Sequence, residues 1–205
     1  MVREIRVGEL FDDFSDNKYK DRDARRLRVH CATPINLHIK GKDRPEWTVT
    51  GGSWDASAGY LYNAGSSTAD QQIQTPSTFV VGTWEYDLLV EKDTSDPLQA
   101  HFMWVDANNY MGHDHRGATT DVVRLWKIVA GTATVLISTA MGLVAGVYET
   151  HKITRDSSGN YEIFIDGVSK GTATDVAITS SNKFQFSNPK TSTPSACRID
   201  NVKVY

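Results

Sequence analysis

The stretch Ala196-Cys197-Arg198-Ile199-Asp200-Asn201-Val202-Lys203-Val204-Tyr205 reads as a β-strand in which Ile199, Val202 and Val204 frame one carboxylate, Asp200. A strand at the end of a chain is held in place only when it pairs with something. The matching candidate is the opening stretch Gly8-Glu9-Leu10-Phe11-Asp12-Asp13-Phe14, which is also apolar and carboxylate-bearing. Pairing of the two closes residues 1–205 into a single β domain. It also brings Asp200 near Asp12 and Asp13.

Between these two stretches no apolar pattern with helical spacing and caps is sustained. Short runs rich in Val, Ile, Thr, Tyr, Trp and Phe recur instead, separated by Gly, Asn, Asp and Ser. Among the predicted strands are Leu27–His30, Asn36–Ile39, Thr83–Glu91, Gln99–Val105, Asn109–Asp114, Val122–Ile128, Tyr148–Asp156 and Lys183–Ser187. Asp166-Gly167 predicts a two-residue hairpin, because both central positions of that turn need positive φ. Ser157-Ser158-Gly159-Asn160 predicts another tight turn, so residues 148–174 read as a three-strand meander. So many short strands without helices imply a two-sheet antiparallel β-sandwich. The segment Ala24–Lys42 stands apart, with Leu27 and Val29 facing Leu37 and Ile39 across a turn at Ala32-Thr33-Pro34. It reads either as two further ordinary strands or as an inserted β-arm for a partner contact.

Bulk properties narrow the function classes. A net charge of −3 gives no field that favours nucleic acid. The basic run Arg22, Arg25, Arg26, Arg28 is short and is read as a solvated strand or loop. The longest apolar stretch, Val135 to Val147, is broken by Ser138, Thr139, Gly142 and Gly146, which argues against membrane insertion. Met1 to Val7 carries no signal-peptide core, so the chain is either intracellular or a mature module of a longer protein. Cys31 and Cys197 form either one bridge or two buried thiols.

Several motifs occur in order along the chain: Phe11-Asp12-Asp13-Phe14, Trp47-Thr48-Val49-Thr50-Gly51-Gly52-Ser53-Trp54, Gly59-Tyr60-Leu61 and Gly82-Thr83-Trp84-Glu85-Tyr86-Asp87. Asn108-Asn109-Tyr110, His151-Lys152-Ile153, Asp166-Gly167 and the closing strand follow. Together they resemble the concanavalin A-like lectin/glucanase superfamily, whose fold is a jelly roll. That superfamily holds glycoside hydrolases, polysaccharide lyases, carbohydrate-binding modules and adhesion modules, so the fold alone does not give function. The resemblance implies an extracellular or cell-surface setting. The closing strand is similar to that of family 16 glucanases, where its carboxylate serves a structural calcium. Carried over, Asp200 is a Ca2+ ligand, with Asp13 as the candidate second carboxylate. The plainer reading has Asp200 accepting backbone N–H groups or pairing with Arg198 or Lys203.

In Thr83–Glu91, alternation places Trp84, Tyr86, Leu88 and Val90 on one side and Glu85 and Asp87 on the other. These two carboxylates are about 7 Å apart at about 3.3 Å rise per residue. Paired carboxylates are the apparatus of glycoside hydrolysis. The Glu-x-Asp-x-Glu pattern of family 16 is nevertheless incomplete, since Leu89 stands where the second Glu belongs. If Phe102 and Trp104 face the core, His101 and Met103 face the other way. His113-Asp114-His115 puts two imidazoles on one side of a strand, a spacing that suits a transition metal with a third ligand. Arg124 and Trp126 share a face. Glu85, Asp87, His101, His113, Arg124 and Trp126 are therefore expected to converge on one concave face. A Trp plane with charged and amide groups suits a polysaccharide or glycan. His101, Tyr110 and Arg124 suit a β-eliminating lyase. The leading expectation is a non-catalytic carbohydrate-binding or adhesion module. The alternatives are a polysaccharide-acting enzyme and a structural sandwich that mediates protein contacts.

Overall fold

The computed structural model describes residues 10–12, 29–30, 34–36, 46–56, 58–92, 98–117, 121–191 and 195–205. Every regular element among them is a strand. The first seven are β1 (Leu10–Asp12), β2 (Val29–His30), β3 (Pro34–Asn36), β4 (Glu46–Gly51), β5 (Ser53–Trp54), β6 (Leu61–Asn63) and β7 (Gln71–Pro76). Then come β8 (Gly82–Val90), β9 (Gln99–Asp106), β10 (Asn109–Arg116), β11 (Val122–Val129) and β12 (Thr132–Ala140). The last five are β13 (Tyr148–Arg155), β14 (Asn160–Ile165), β15 (Val168–Thr174), β16 (Lys183–Asn188) and β17 (Cys197–Val204).

A seven-stranded sheet runs β1-β17-β8-β13-β14-β15, with β6 also on β17, and an eight-stranded sheet runs β12-β11-β10-β9-β16-β7-β4-β3. All pairings are antiparallel. The opening and closing strands pair as expected, with Leu10 opposite Val204 and Asp12 opposite Val202. Asp13 lies outside the described residues. The meander is also as read, and Asp166 (φ 50°) and Gly167 (φ 76°) form its two-residue turn.

The described parts of the Ala24–Lys42 segment pair outward rather than with each other. β2 pairs with β5 and β3 with β4, so Val29 and Ile35 join different sheets. Apolar alternation alone could not tell a hairpin from two strands that each find another partner.

The sheets enclose one core in which Trp47, Trp54, Trp84, Phe102, Phe184, Phe186, Ile73 and Leu61 are fully buried. Trp47 stacks on Phe186 at 5.8 Å, and Trp84 packs on Phe102 at 4.7 Å. Each such ring removes about 150–250 Å² from water. At about 25 cal/mol per Å² that is an upper estimate of about 4–6 kcal/mol per ring. Cys197 is a buried free thiol, and burial pushes its pKa up to about 12.

Two bulges keep the apolar residues inside. In β17 the register passes from Asp200–Asp87 to Lys203–Glu85, with Asn201 at φ 50° as the extra residue. Ile199 and Val202, three apart, thereby both face the core at 0% exposure. In β9, Met103 has φ 48° and the register against β16 shifts between His101 and Trp104. Met103 is turned into the core, where the Tyr161 hydroxyl donates to its sulfur at 3.2 Å.

Candidate functional site

The outer face of the eight-stranded sheet carries two cross-strand rows. Gln74, Gln185, His101, Gly112 and Trp126 stand side by side on β7, β16, β9, β10 and β11. The next row is Gln72, Ser187, Gln99, Asp114 and Arg124. Their neighbours Ile73, Phe186, Ala100, His113 and Leu125 point inward and are fully buried.

Aromatic rings gather at one end of the first row. Trp104 stacks on Tyr110 with centroids 4.3 Å apart, and His101 lies 4.8 Å from Tyr110 and 5.6 Å from Trp104. Trp126 meets Tyr110 edge-on at 5.6 Å. It can lie low because its register partner is glycine: a Cβ on Gly112 would sit 2.3 Å from the indole. Trp104 and Tyr110 keep part of their surface open, whereas Trp126 is 8% exposed.

The polar groups form a directed chain. Lys183 Nζ lies 4.1 Å from the Trp104 ring centre and donates to Gln74 Oε1 (2.6 Å) and Gln185 Oε1 (2.8 Å). Gln185 Nε2 donates to His101 Nδ1 at 3.4 Å, and His101 Nε2 donates to Gln99 Oε1 at 3.0 Å. That order requires neutral His101. Burial, helped by the Lys183 charge, lowers its pKa to about 3. In the second row Arg124 holds Asp114 at two points, 2.8 and 2.5 Å.

His101, Arg124 and Trp126 thus share the expected face. Three other candidates do not. Glu85 and Asp87 lie on the outer face of the seven-stranded sheet, because β8 pairs with β13 and β17. There Lys203 donates to Glu85 at 2.8 Å, and Thr150 and Asn201 donate to Asp87, each at 2.7 Å. His113 points into the sandwich, since it shares its side of β10 with the buried Met111. The Met103 bulge reverses another expectation: Trp104 accompanies His101, and Met103 is the core residue. Sequence reasoning missed Lys183, Gln185, Gln74 and Gln99 as members of the face. The alternation Lys183-Phe184-Gln185-Phe186 was the signal that could have found them.

A second constellation is internal. His113 and His115 on β10 meet Glu149 and His151 on β13, all buried. His115 Nδ1 is 2.7 Å from Glu149 Oε2, and His151 Nε2 is 3.4 Å from the same oxygen. His113 Nε2 is 2.9 Å from His151 Nδ1. Tyr86 stacks on His151 at 5.2 Å. Burial pushes the Glu149 carboxyl up, but the neighbouring His115 and His151 rings outweigh it and hold its pKa at about 2.

Asp200 stands opposite Asp87 on the outer face of the seven-stranded sheet, and its Oδ1 accepts the Asn201 N–H at 2.8 Å. Two facing carboxylates repel, and the donors Asn201 and Thr150 on Asp87 offset that repulsion.

No family model matches the sequence, and no curated protein matches it. Solved structures do match in shape. The carbohydrate-binding module CBM66 from Bacillus subtilis superposes with TM-score 0.64 at 18% identity, over 78% of this chain and 95% of that one. A prokaryotic β-1,3-1,4-glucanase (lichenase) from a mouse hindgut metagenome gives TM-score 0.64 at 10% identity, over 96% and 98%. The Emp47p carbohydrate recognition domain gives 0.62 at 11% identity, over 97% and 94%. The chain has the concanavalin A-like jelly-roll fold. At these identities the jelly roll shows the architecture alone, and the residues of the site have to carry the function.

Proposed function

We propose that this chain is a non-catalytic glycan-binding module whose site is the outer face of the eight-stranded sheet. The observation that carries the reading is the half-open Trp104–Tyr110 stack bordered by Lys183, Gln74, Gln185 and Gln99. Aromatic planes accept the C–H faces of pyranose rings, and amides and an ammonium bond to their hydroxyls. The shape neighbours include proteins named for carbohydrate binding, which supports the same reading. An extracellular or cell-surface setting, within a longer parent protein, belongs to this proposal.

The test is binding to a panel of soluble polysaccharides by calorimetry, with Trp104→Ala and Tyr110→Ala beside the parent. Each variant is expected to lose affinity about 10- to 100-fold, as central aromatic anchors do. Unchanged affinity in both variants would exclude this face. A lyase reading is favoured by one observation, Tyr110 beside the neutral His101 with Arg124 in the next row. Unsaturated uronate absorbance that disappears in His101→Ala would establish it. Hydrolysis needs two facing carboxylates, whereas Glu85 and Asp87 lie on the other sheet and Asp114 is held by Arg124.

A structural Ca2+ held by Asp200 and Asp13 belongs to the same proposal. What supports it is Asp200 beside a second carboxylate, Asp87, on an outer face; Asp13, the expected second ligand, lies outside the described residues. EGTA is expected to lower the melting temperature of calcium-replete protein, and an unchanged Tm removes the ion from the account.

A further inference from the structure

The internal histidines have a protonation pattern that hydrogen bonding fixes almost completely. A carbonyl oxygen only accepts, so His113 Nδ1, 2.8 Å from the Arg124 carbonyl oxygen, carries a proton. His113 Nε2 is then an acceptor, and His151 Nδ1, 2.9 Å away, must donate to it. In neutral His151 this leaves Nε2 as a bare lone pair. That atom is buried, has no hydrogen-bond partner, and faces Glu149 Oε2 at 3.4 Å. From the other side, His115 Nε2 donates to the Met141 carbonyl at 2.9 Å. Its Nδ1, without a proton in the neutral ring, is turned to the same carboxylate oxygen at 2.7 Å.

Three electron-pair donors therefore converge inside the sandwich: His115 Nδ1, His151 Nε2 and Glu149 Oε2, all within 4.8 Å of one another. A proton on His115 would satisfy its contact with Glu149 but would leave His151 Nε2 without a partner. A cation satisfies all three. We propose that His115, Glu149 and His151 bind one divalent transition-metal ion of the zinc type, which ties β10 of one sheet to β13 of the other.

Two imidazoles and a carboxylate suit zinc. Metal–donor bonds of about 2.0–2.2 Å in a tetrahedron put the donors about 3.3 Å apart. The His151–Glu149 separation of 3.4 Å already has that value, and the His115–Glu149 contact of 2.7 Å must open by roughly half an ångström. Each ligating ring is oriented from behind, His115 by the Met141 carbonyl and His151 by His113. Such outer partners fix tautomer and direction in metal sites. The ring of Tyr86, nearly parallel to His151 at 10°, holds its plane. His113 is thus a positioning residue rather than a ligand. The three donors are buried and join the two sheets, which suits a structural ion whose fourth position is filled by a non-protein ligand.

The test uses the full chain, stripped with a strong transition-metal chelator and dialysed, then titrated with Zn2+ and with Co2+. We expect one equivalent of either ion, and a rise in Tm of about 5 °C with zinc. Glu149→Gln and His151→Phe should each abolish both effects. Should a variant fail to fold, X-ray absorption of the zinc-loaded parent chain still decides, with two imidazole nitrogens and a carboxylate expected in the first shell. Failure to bind either ion at micromolar concentration overturns the proposal. So does unchanged uptake in Glu149→Gln, or a first shell containing sulfur or fewer than two imidazoles. Add-back of Ca2+ alone or Zn2+ alone to the stripped chain separates this site from Asp200, and glycan binding reports on a different face of the molecule.

Discussion

The indole of Trp126 lies against the backbone of Gly112 so closely that a single methyl group there would sit 2.3 Å from the ring. The ring cannot move inward, because Leu125 and Met111 already fill the core behind it. Gly112→Ala is therefore expected to lift Trp126 toward Tyr110 and cost about 1–3 kcal/mol, as overpacking does. Urea denaturation measures the cost. A shifted tryptophan emission maximum would report the displacement, and an unperturbed spectrum with unchanged stability would contradict it.

His101 makes the face sensitive to acid. Its folded-state pKa of about 3 lies below the unfolded value near 6.5, so it takes up a proton only when the protein unfolds. Lys183 and Gln185 face it from β16, Gln99 and Trp104 from β9, Tyr110 from β10 and Trp126 from β11, and none supplies a compensating negative charge. Its contribution to stability is constant above about pH 6.5, falls as pH drops below that value, and levels off near pH 3. The slope is at most about 1.4 kcal/mol per pH unit. Denaturant midpoints at pH 7.5, 5.5 and 4.5 should converge between the parent and His101→Gln as pH falls. Parallel profiles would show that His101 is not the source.

Asp114 and Arg124 form the most enclosed ion pair of the outer face, with the Asp114 side chain at 0% and the Arg124 side chain at 19% exposure. Asp114→Ala strands the guanidinium and is expected to cost about 3 kcal/mol. Adding Arg124→Met should recover at least half of that loss. A double variant no more stable than the single one would mean that the pair does not act as a unit.

Asn201 carries two loads, a positive φ of 50° and an amide bond to Asp87. Both Asn201→Gly and Asn201→Ala remove the bond, but only alanine meets the backbone penalty. The order of stability should be parent, then glycine, then alanine, with about 1 kcal/mol between the two variants. Equal loss in both would assign the whole effect to the amide.

Much of this architecture was legible in residue alternation. Ile163, Ile165 and Tyr161, or Phe184 and Phe186, could face only one way, and Asp166-Gly167 could only turn. Alternation assigns a residue to a side of its strand but does not say which sheet the strand joins. For that reason Glu85 and Asp87 were placed beside His101 when a whole sandwich separates them. Nor does alternation foresee an extra residue: nothing in Phe102-Met103-Trp104 marks Met103 as the position that turns to positive φ and sends Trp104 outward. His113 and His115 were readable as a pair sharing a side. Their third partner was not, because Glu149 and His151 arrive from the opposite sheet.

The position of β17 also sets the order in which the molecule can be assembled. It lies inside its sheet, with β8 on one side and β1 and β6 on the other. Until Cys197–Val204 has left the ribosome, β8 has one open hydrogen-bonding edge and β1 has no strand to receive it. The hairpins β9–β10, β10–β11 and β13–β14 can form during synthesis, since their contacts are local. The sheet that joins β1 to β17 must wait until residues 197–204 have emerged. Its exposed edge in that interval is an aggregation hazard.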